Sequence, residues 1–318
     1  MSITNILKKY EIVEYRIIET KKYDLKKHFY NAENDKINLT SKLVNDREYI
    51  ENIFQKYKYV LVLLLPYFST VENKIPSSIG SLSKDYHIIF KEKVELIMKE
   101  VKIDNYLFFT DTGPLFDQLL AMNAKIGVRG KNYTLINKRL GSFFYIGYVF
   151  INEKIESDNS SENLKGCYGC GICIKKCPTG AITEEKFLAE RCLSYQTQTK
   201  ELNEYSLKIK TLYGCDICQV VCPHNKFAVS TSYTKQYFKI DLNDLFVISN
   251  SEFKEKYRNS NFIWRPRNIL KKNAIIAYYN LGKWDKIKKY VLEEIKKNNK
   301  YIIDVLEFMQ ENGMKTDV

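Results

Sequence analysis

No apolar stretch in these 318 residues is long enough to cross a membrane. The longest aliphatic run, Val60 to Leu65, is closed off by Lys58 and Pro66, whereas a spanning helix needs about 20 apolar residues. That run reads instead as a buried strand. Met1 to Tyr10 carry no apolar core ahead of a small-residue cleavage site, so no export signal is expected. The Gly-x-Gly-x-x-Gly fingerprint is missing, which disfavours a Rossmann-bound nicotinamide or flavin. Also missing is a three-cysteine run spaced x3 then x2, so radical chemistry built on S-adenosylmethionine is excluded. The resulting expectation is a cytoplasmic monomer with no membrane contact.

What the chain has in excess is positive charge. Lys and Arg number 50 against 38 Asp and Glu, giving a net charge of +12. The surplus is uneven: from Glu252 to Lys300 there are 14 basic and 5 acidic residues. A basic block points to a polyanionic partner, most often nucleic acid. A Lys-, Asn-, Ile- and Tyr-rich composition from an AT-rich genome is the bland alternative.

Three regions follow from the patterning. Residues 1–155 read as an α/β domain: an N-terminal helical stretch, a strand at Tyr59–Leu65, a Ser-rich loop from Thr70 to Ser83 and a helix over Tyr86–Val101. Short buried strands are expected at Tyr106–Phe109 and Ser142–Ile151, with helical periodicity over Pro114–Ala124 between them. A polar linker, Glu153 to Lys165, leads into residues 156–238, which hold all eight cysteines. Residues 239–318 are helical, with apolar stripes over Asn268–Leu281, Trp284–Lys297 and Tyr301–Glu311, a pattern that suits a HEAT-like hairpin.

The cysteines carry the strongest signal. Cys167-x2-Cys170-x2-Cys173-x3-Cys177-Pro178 is the run of bacterial dicluster ferredoxins. Three thiolates two residues apart can wrap one corner of a cubane, and the fourth reaches a second cluster. The second motif is split: Cys192 is followed, after a 22-residue insertion, by Cys215-x2-Cys218-x3-Cys222-Pro223. Ligand counting closes with Cys167, Cys170, Cys173 and Cys222 on one [4Fe–4S] cluster and Cys177, Cys192, Cys215 and Cys218 on the other. Four disulfides would need an oxidising compartment. All-cysteine zinc sites do not use this x2-x2-x3 spacing followed by Pro. An electron carrier needs only about 60 of these residues, so the N-terminal domain should hold the electron acceptor: a flavin, a corrinoid or a bound substrate.

Beyond the cysteines, several blocks resemble the epoxyqueuosine reductase family. They are Lys84-Asp85-Tyr86-His87, Asp111-Thr112-Gly113-Pro114-Leu115-Phe116, Gly130-Lys131-Asn132, Leu140 to Gly147, Arg191 to Tyr195, Tyr213 to Gln219, and Trp264-Arg265-Pro266-Arg267 with Lys272-Asn273-Ala274. The chain departs from the pattern at Val128-Arg129, at Gln118 where an Arg is usual, and at Asn45-Asp46-Arg47, where the family has an Arg-rich segment. The resemblance spans roughly residues 55–285. It implies a cobalamin-dependent oxidoreductase with two [4Fe–4S] clusters, an external low-potential electron donor, and the anticodon stem-loop of tRNA as substrate.

Site residues follow from the blocks. Asp111, just past the apolar strand Leu107–Phe109, is the candidate proton donor; an ordinary helix cap would look the same from sequence. Lys131, Asn132 and Ser142 lie in glycine-flanked turns that could donate to corrin amides or phosphate. The resemblance adds Leu135, Ile146, Val149, Ser194 and Tyr195 to the corrin site. It makes His87 a packing residue, because the family binds cobalamin base-off without a protein histidine. Arg265, Arg267, Lys271 and Lys272 are expected on tRNA phosphates. A corrinoid reductase of a small molecule, or a dicluster electron-transfer protein with no substrate of its own, would share the cysteines without the tRNA.

Overall fold

The computed structural model describes residues 2–33, 47–69, 76–156, 165–226, 228 and 238–318. Asn45 and Asp46, the first part of the expected Ser-rich loop and most of the expected linker lie outside the described residues.

A four-stranded antiparallel sheet organises the N-terminal part, in the order β1 (Glu14–Glu19), β2 (Tyr59–Pro66), β6 (Phe144–Ile151), β3 (Leu107–Thr110). β4 (Val128–Arg129) and β5 (Leu135–Ile136) make a separate two-stranded ribbon. Successive side chains of a strand point to opposite faces, and here both faces are covered. Val60, Val62 and Leu64 of β2 enter one core with Tyr148 and Phe150 of β6. Leu61, Leu63 and Leu65 enter the other with Val149 and Ile151. Burial on both sides is why β2 reads as an unbroken aliphatic run.

The helix Tyr86–Glu100 lies on the second face and buries Ile89, Phe90, Val94, Ile97 and Met98. Asp85 caps it, accepting from the His87 amide at 2.9 Å. Gly147 lets this helix approach the sheet, because a Cβ there would collide with the Phe90 ring. β1 interrupts the expected N-terminal helical stretch, which is helical over Ile3–Lys9, Leu25–Glu33 and Arg47–Lys56. It is an edge strand with a buried glutamate, Glu14, held by Arg139 at 2.9 Å, so its alternation is weak in sequence.

The expected boundary between residues 238 and 239 cuts through one core. Leu193, Ile209, Leu212 and Tyr213 from the cysteine region pack with Leu245, Phe262, Leu270 and Ile275 of the helical region. The helix Arg267–Asn280 binds the segment between Cys192 and Cys215 through polar side chains. Lys272 Nζ donates to the Gln196 and Thr199 carbonyls, both at 2.8 Å. Asn273 reaches the Thr197 and Leu212 carbonyls, and Asn280 those of Leu207 and Ile209. The insertion that splits the second cysteine motif is therefore held by the C-terminal helix.

These bonds yield a stability prediction. Each hydrogen bond from a charged donor contributes about 1.5–3 kcal/mol. Lys272→Ala is expected to lower unfolding free energy by about 3 kcal/mol in urea titrations.

Candidate active site and cluster-binding segment

All eight cysteines are free thiols, and they fall into two electrostatic groups. Cys173 feels Cys167 and Cys222, and Cys222 feels Cys167 and Cys170. Cys192 feels Cys177, and Cys215 feels both. Cys218 feels Cys192 and Cys215, and last of all Cys173 of the first run. Apart from the Cys218–Cys173 contact, the neighbours divide as in the crossed ligand count, with Cys177 beside Cys192 and Cys215. Backbone amides face the sulfurs: those of Ser194 and Tyr195 at Cys192, Ile217 at Cys215, His224 and Asn225 at Cys222. Burial penalises the Cys177 thiolate, yet the Thr179 hydroxyl and the amides of Thr179, Ala181 and Ile182 outweigh it and hold the pKa below normal. Amide donors around thiolates suit an anionic cluster. Among the described residues no three His, Cys, Asp or Glu side chains gather as they would around a single ion.

The cysteine segments dock on the sheet through buried polar bonds. Gln219 donates to the Ser142 carbonyl at 2.9 Å, and Asn225 donates to the Ser142 hydroxyl at 2.9 Å. The Asp216 carboxylate accepts from the Ile79 amide. Burial pushes Asp216 up to about 6, and that amide bond opposes the shift. Gly214 has φ +71 and abuts Ser78, leaving no room for a side chain. Segment 76–87 thereby contacts all three regions, since Asp85 also donates to the Asn259 carbonyl at 2.6 Å.

A cavity of about 630 Å³ opens where the regions meet. Tyr67, Tyr86, Tyr145, Tyr213 and Trp264 give it aromatic walls; Asp111, His87 and Ser194 bring polar groups; Cys215 of the second cysteine group lines it too. Tyr86 stacks on Tyr145 with 3.9 Å between ring centroids and 10° between planes. Its hydroxyl donates to Asp111 Oδ2 at 2.5 Å. Burial, then the Asp111 charge, raise the Tyr86 pKa far above normal, so the phenol stays protonated and keeps donating.

Asp111 follows β3 in a left-handed conformation, φ +52. A carboxylate that hydrogen-bonds locally tolerates that region better than most residues. Its side chain is 68% exposed, open to the cavity. The loop behind it is pinned at three amides. Asp111 N–H donates to Asp117 Oδ2 at 2.8 Å, Leu115 N–H to the Tyr148 hydroxyl at 3.2 Å, and Phe116 N–H to His28 Nε2 at 3.3 Å. Burial holds His28 down to about 4, so the imidazole is neutral and can accept. Burial and the neighbouring Asp111 charge push Asp117 up to about 8. Two carboxylates in one loop thus have different environments, one open and one enclosed. Asp117 was not legible as part of the site, because an acid in the first turn of a helix is commonplace.

His87 faces the same cavity. Its Nδ1 lies 2.8 Å from Asp85 Oδ1, and its Nε2 is 4.0 Å from Asp111 Oδ2 with no hydrogen-bond partner. The Asp85 bond raises its pKa. The bond to Asp85 and the stacking on Tyr86 are helix-start packing, and the ring's Nε2, without a hydrogen-bond partner, faces the carboxylate.

Comparison with known proteins decides the family. Residues 166–225 match the family described as a 4Fe-4S double cluster binding domain. An epoxyqueuosine reductase of Lactococcus garvieae is 37% identical over 244 residues, which span 72% of this chain and 68% of the relative. The chain belongs to the epoxyqueuosine reductase family. The solved epoxyqueuosine reductase from Streptococcus thermophilus superposes with a TM-score of 0.78 at 28% identity, covering 99% of this chain and 90% of that one. An epoxyqueuosine reductase solved with an epoxyqueuosine-modified tRNA-Tyr stem loop gives a TM-score of 0.74 at 28% identity, covering 92% and 83%.

The residues that likeness to epoxyqueuosine reductases placed around a corrin are dispersed. Ser194 lines the cavity, and the Tyr195 amide faces Cys192. Lys131 is ion-paired to Glu184 at 2.5 Å, away from the cavity lining. Asn132 is buried and accepts from the Thr134 hydroxyl at 2.9 Å. Ser142 is enclosed by Gln219 and Asn225. Leu135 is buried in β5, while Ile146 and Val149 belong to β6: Val149 is paired on both edges, and Ile146 pairs with Leu64 and accepts from the Thr110 hydroxyl at 2.7 Å. At the family departure Gln118, the side chain donates to the Tyr133 carbonyl at 3.1 Å.

The four expected tRNA contacts need the larger correction. Lys272 is fully buried, and Lys271 is ion-paired at 2.8 Å to buried Glu294. Arg267 donates to the carbonyls of Asp244, Leu245 and Ile248, each at 2.8 Å. These cations are spent on the fold. Arg265 is half-buried beside the cavity: it donates to Gln198 Oε1 at 3.3 Å, and its guanidinium lies 3.6 Å from the centre of the exposed Trp264 ring.

Proposed function

We propose that this chain reduces epoxyqueuosine to queuosine at the wobble position of tRNA. One observation carries the reading: an acid-bearing loop and a cysteine of the inner cluster group, Asp111 and Cys215, share a single cavity. Turning an epoxide into an alkene breaks two C–O bonds, forms one π bond and releases water. It consumes two electrons and two protons. A corrinoid held there would supply a strong two-electron nucleophile or reductant, and the two clusters and an external donor would supply its electrons.

The cavity suits a flat macrocycle. It has aromatic walls, hydroxyls at Ser194 and Tyr213, and an orphaned polar atom at His87 Nε2. Those residues, with Gly214 and Tyr145, would hold the corrinoid. Asp111 gives a proton to the departing oxygen. Tyr86 orients that carboxyl through its 2.5 Å bond. His87, whose pKa the Asp85 bond raises, can restore the Asp111 proton across the 4.0 Å gap and so provides the second equivalent. Trp264 and Arg265 present the kind of face on which splayed loop bases stack, and a modified base must leave its stack to reach the pocket. Exposed Lys283, Lys286, Lys289 and Lys300 in the HEAT-like helical region replace the buried cations as phosphate contacts.

The direct test is anaerobic reconstitution with iron, sulfide and cobalamin, then reaction with tRNA carrying epoxyqueuosine. The expected product nucleoside is lighter by one oxygen. Fully loaded, reduced protein that leaves the nucleoside unchanged would sink the reading.

His87 gives a pH test. Its folded pKa is raised, so the imidazolium persists to higher pH than usual. Turnover that depends on it should fall as pH rises through that pKa. His87→Gln should lower kcat about tenfold to a hundredfold and remove that alkaline limb, measured between about pH 6 and 9. An unchanged profile would remove His87 from the proton path.

A further inference from the structure

The first cysteine group faces outward. Cys170 is exposed, whereas Cys215 of the second group lines the cavity. Around the outer group lies an apolar patch: Tyr168 is 69% exposed, Val220 63%, Ile217 37% and Ile172 36%. Ile172 and Ile217 open the short helices Ile172–Lys176 and Ile217–Val220, which pack against each other. Large exposed apolar side chains gathered in one place mark an interaction surface.

The charge around this patch is mostly positive; the exposed Glu184 beside Gly171 is paired with Lys131. Between Lys165 and Ile182 there is no Asp or Glu, and none between Ile217 and Lys226. Lys165, Lys175 and Lys176 are exposed, and none forms an ion pair with a described residue. An apolar centre with a basic rim fits a transient partner bearing an acidic rim. The chemistry says what the partner must bring. Each epoxide consumes two electrons, and the sequence holds no nicotinamide or flavin fingerprint to supply them.

We propose that this face docks an acidic carrier protein holding one low-potential flavin or iron–sulfur centre, which passes electrons singly to the outer cluster. The proposal rests on the cluster reading above. In each encounter the carrier centre is oxidised by one electron and the outer cluster is reduced by one. Two encounters supply one epoxide, and the two protons arrive separately at the cavity. Electrons enter at the Cys170 side and leave at the Cys215 side, so carrier and tRNA occupy different faces.

The test follows the visible iron–sulfur absorption of the reconstituted protein after rapid anaerobic mixing with a reduced flavodoxin, an acidic flavin carrier. Bleaching should slow at least tenfold as salt is raised from about 20 to 300 mM, because steered association is screened. Reversing charge at Lys165→Glu, Lys175→Glu and Lys176→Glu together should slow it at least tenfold at low salt. The same variant should bleach at the unaltered rate with photoreduced deazariboflavin, a small uncharged reductant. A flavodoxin rate indifferent to salt in the unaltered chain would overturn the proposal, as would equal rates in the variant. Failure of deazariboflavin to bleach the unaltered protein would instead overturn the cluster reading beneath it.

Discussion

Replacing Asp111 by alanine is expected to cut turnover by about 10² to 10⁴, the usual contribution of a positioned acid. Iron content and the visible cluster spectrum should not change. The carboxyl is 68% exposed into the cavity, takes its orientation from Tyr86, and bears none of the fold's buried bonds through its side chain. Its backbone is the structural part, with φ +52 and the amide tied to Asp117. Asp111→Asn separates the two roles. Asparagine tolerates the left-handed region about as well, and it keeps the acceptor for Tyr86 while losing the proton. It should therefore be as inactive as the alanine variant, with an unchanged melting temperature. Single-turnover conversion within tenfold of the unaltered chain would take Asp111 out of the mechanism.

Cys177→Ser should produce the second large effect. Cys177 sits in the first motif by sequence, yet its electrostatic neighbours are Cys192 and Cys215 of the inner group. The substitution should reduce iron from about eight to about four per chain and leave the outer cluster in place. Turnover should be lost, because the inner group is the one that borders the cavity. Cys170→Ser should remove the other cluster while sparing the inner one. If Cys177→Ser instead removed the outer cluster, the crossed assignment would be wrong.

Much of this was legible in the residues, for identifiable reasons. The strand at β2 is readable because both its faces are buried, so it is aliphatic throughout. The helices Tyr86–Glu100 and Arg267–Asn280 are readable from their stripes and from Asp85 as a cap. The cysteine spacing is readable because a cubane demands thiolates at short fixed intervals. β1 was hidden because an edge strand with buried Glu14 lacks a clean alternation. The role of the C-terminal cations was misread because a run of lysines looks the same on a solvated face as over buried carbonyls.

By itself, the sequence determined the donor chemistry: eight thiols at the spacing of a double-cluster domain, an acid after an apolar strand, and a surplus of positive charge. Those depend on residue type and short spacing, which are local. The tertiary structure alone decided which charges are available. It buried Lys271 and Lys272, left Lys175 and Lys176 in water, and turned His87 toward Asp111. Whether a cation is solvated or satisfied by carbonyls depends on segments more than 70 positions away, such as Gln196 facing Lys272. Desolvation is set by that packing, and no local spacing rule encodes it.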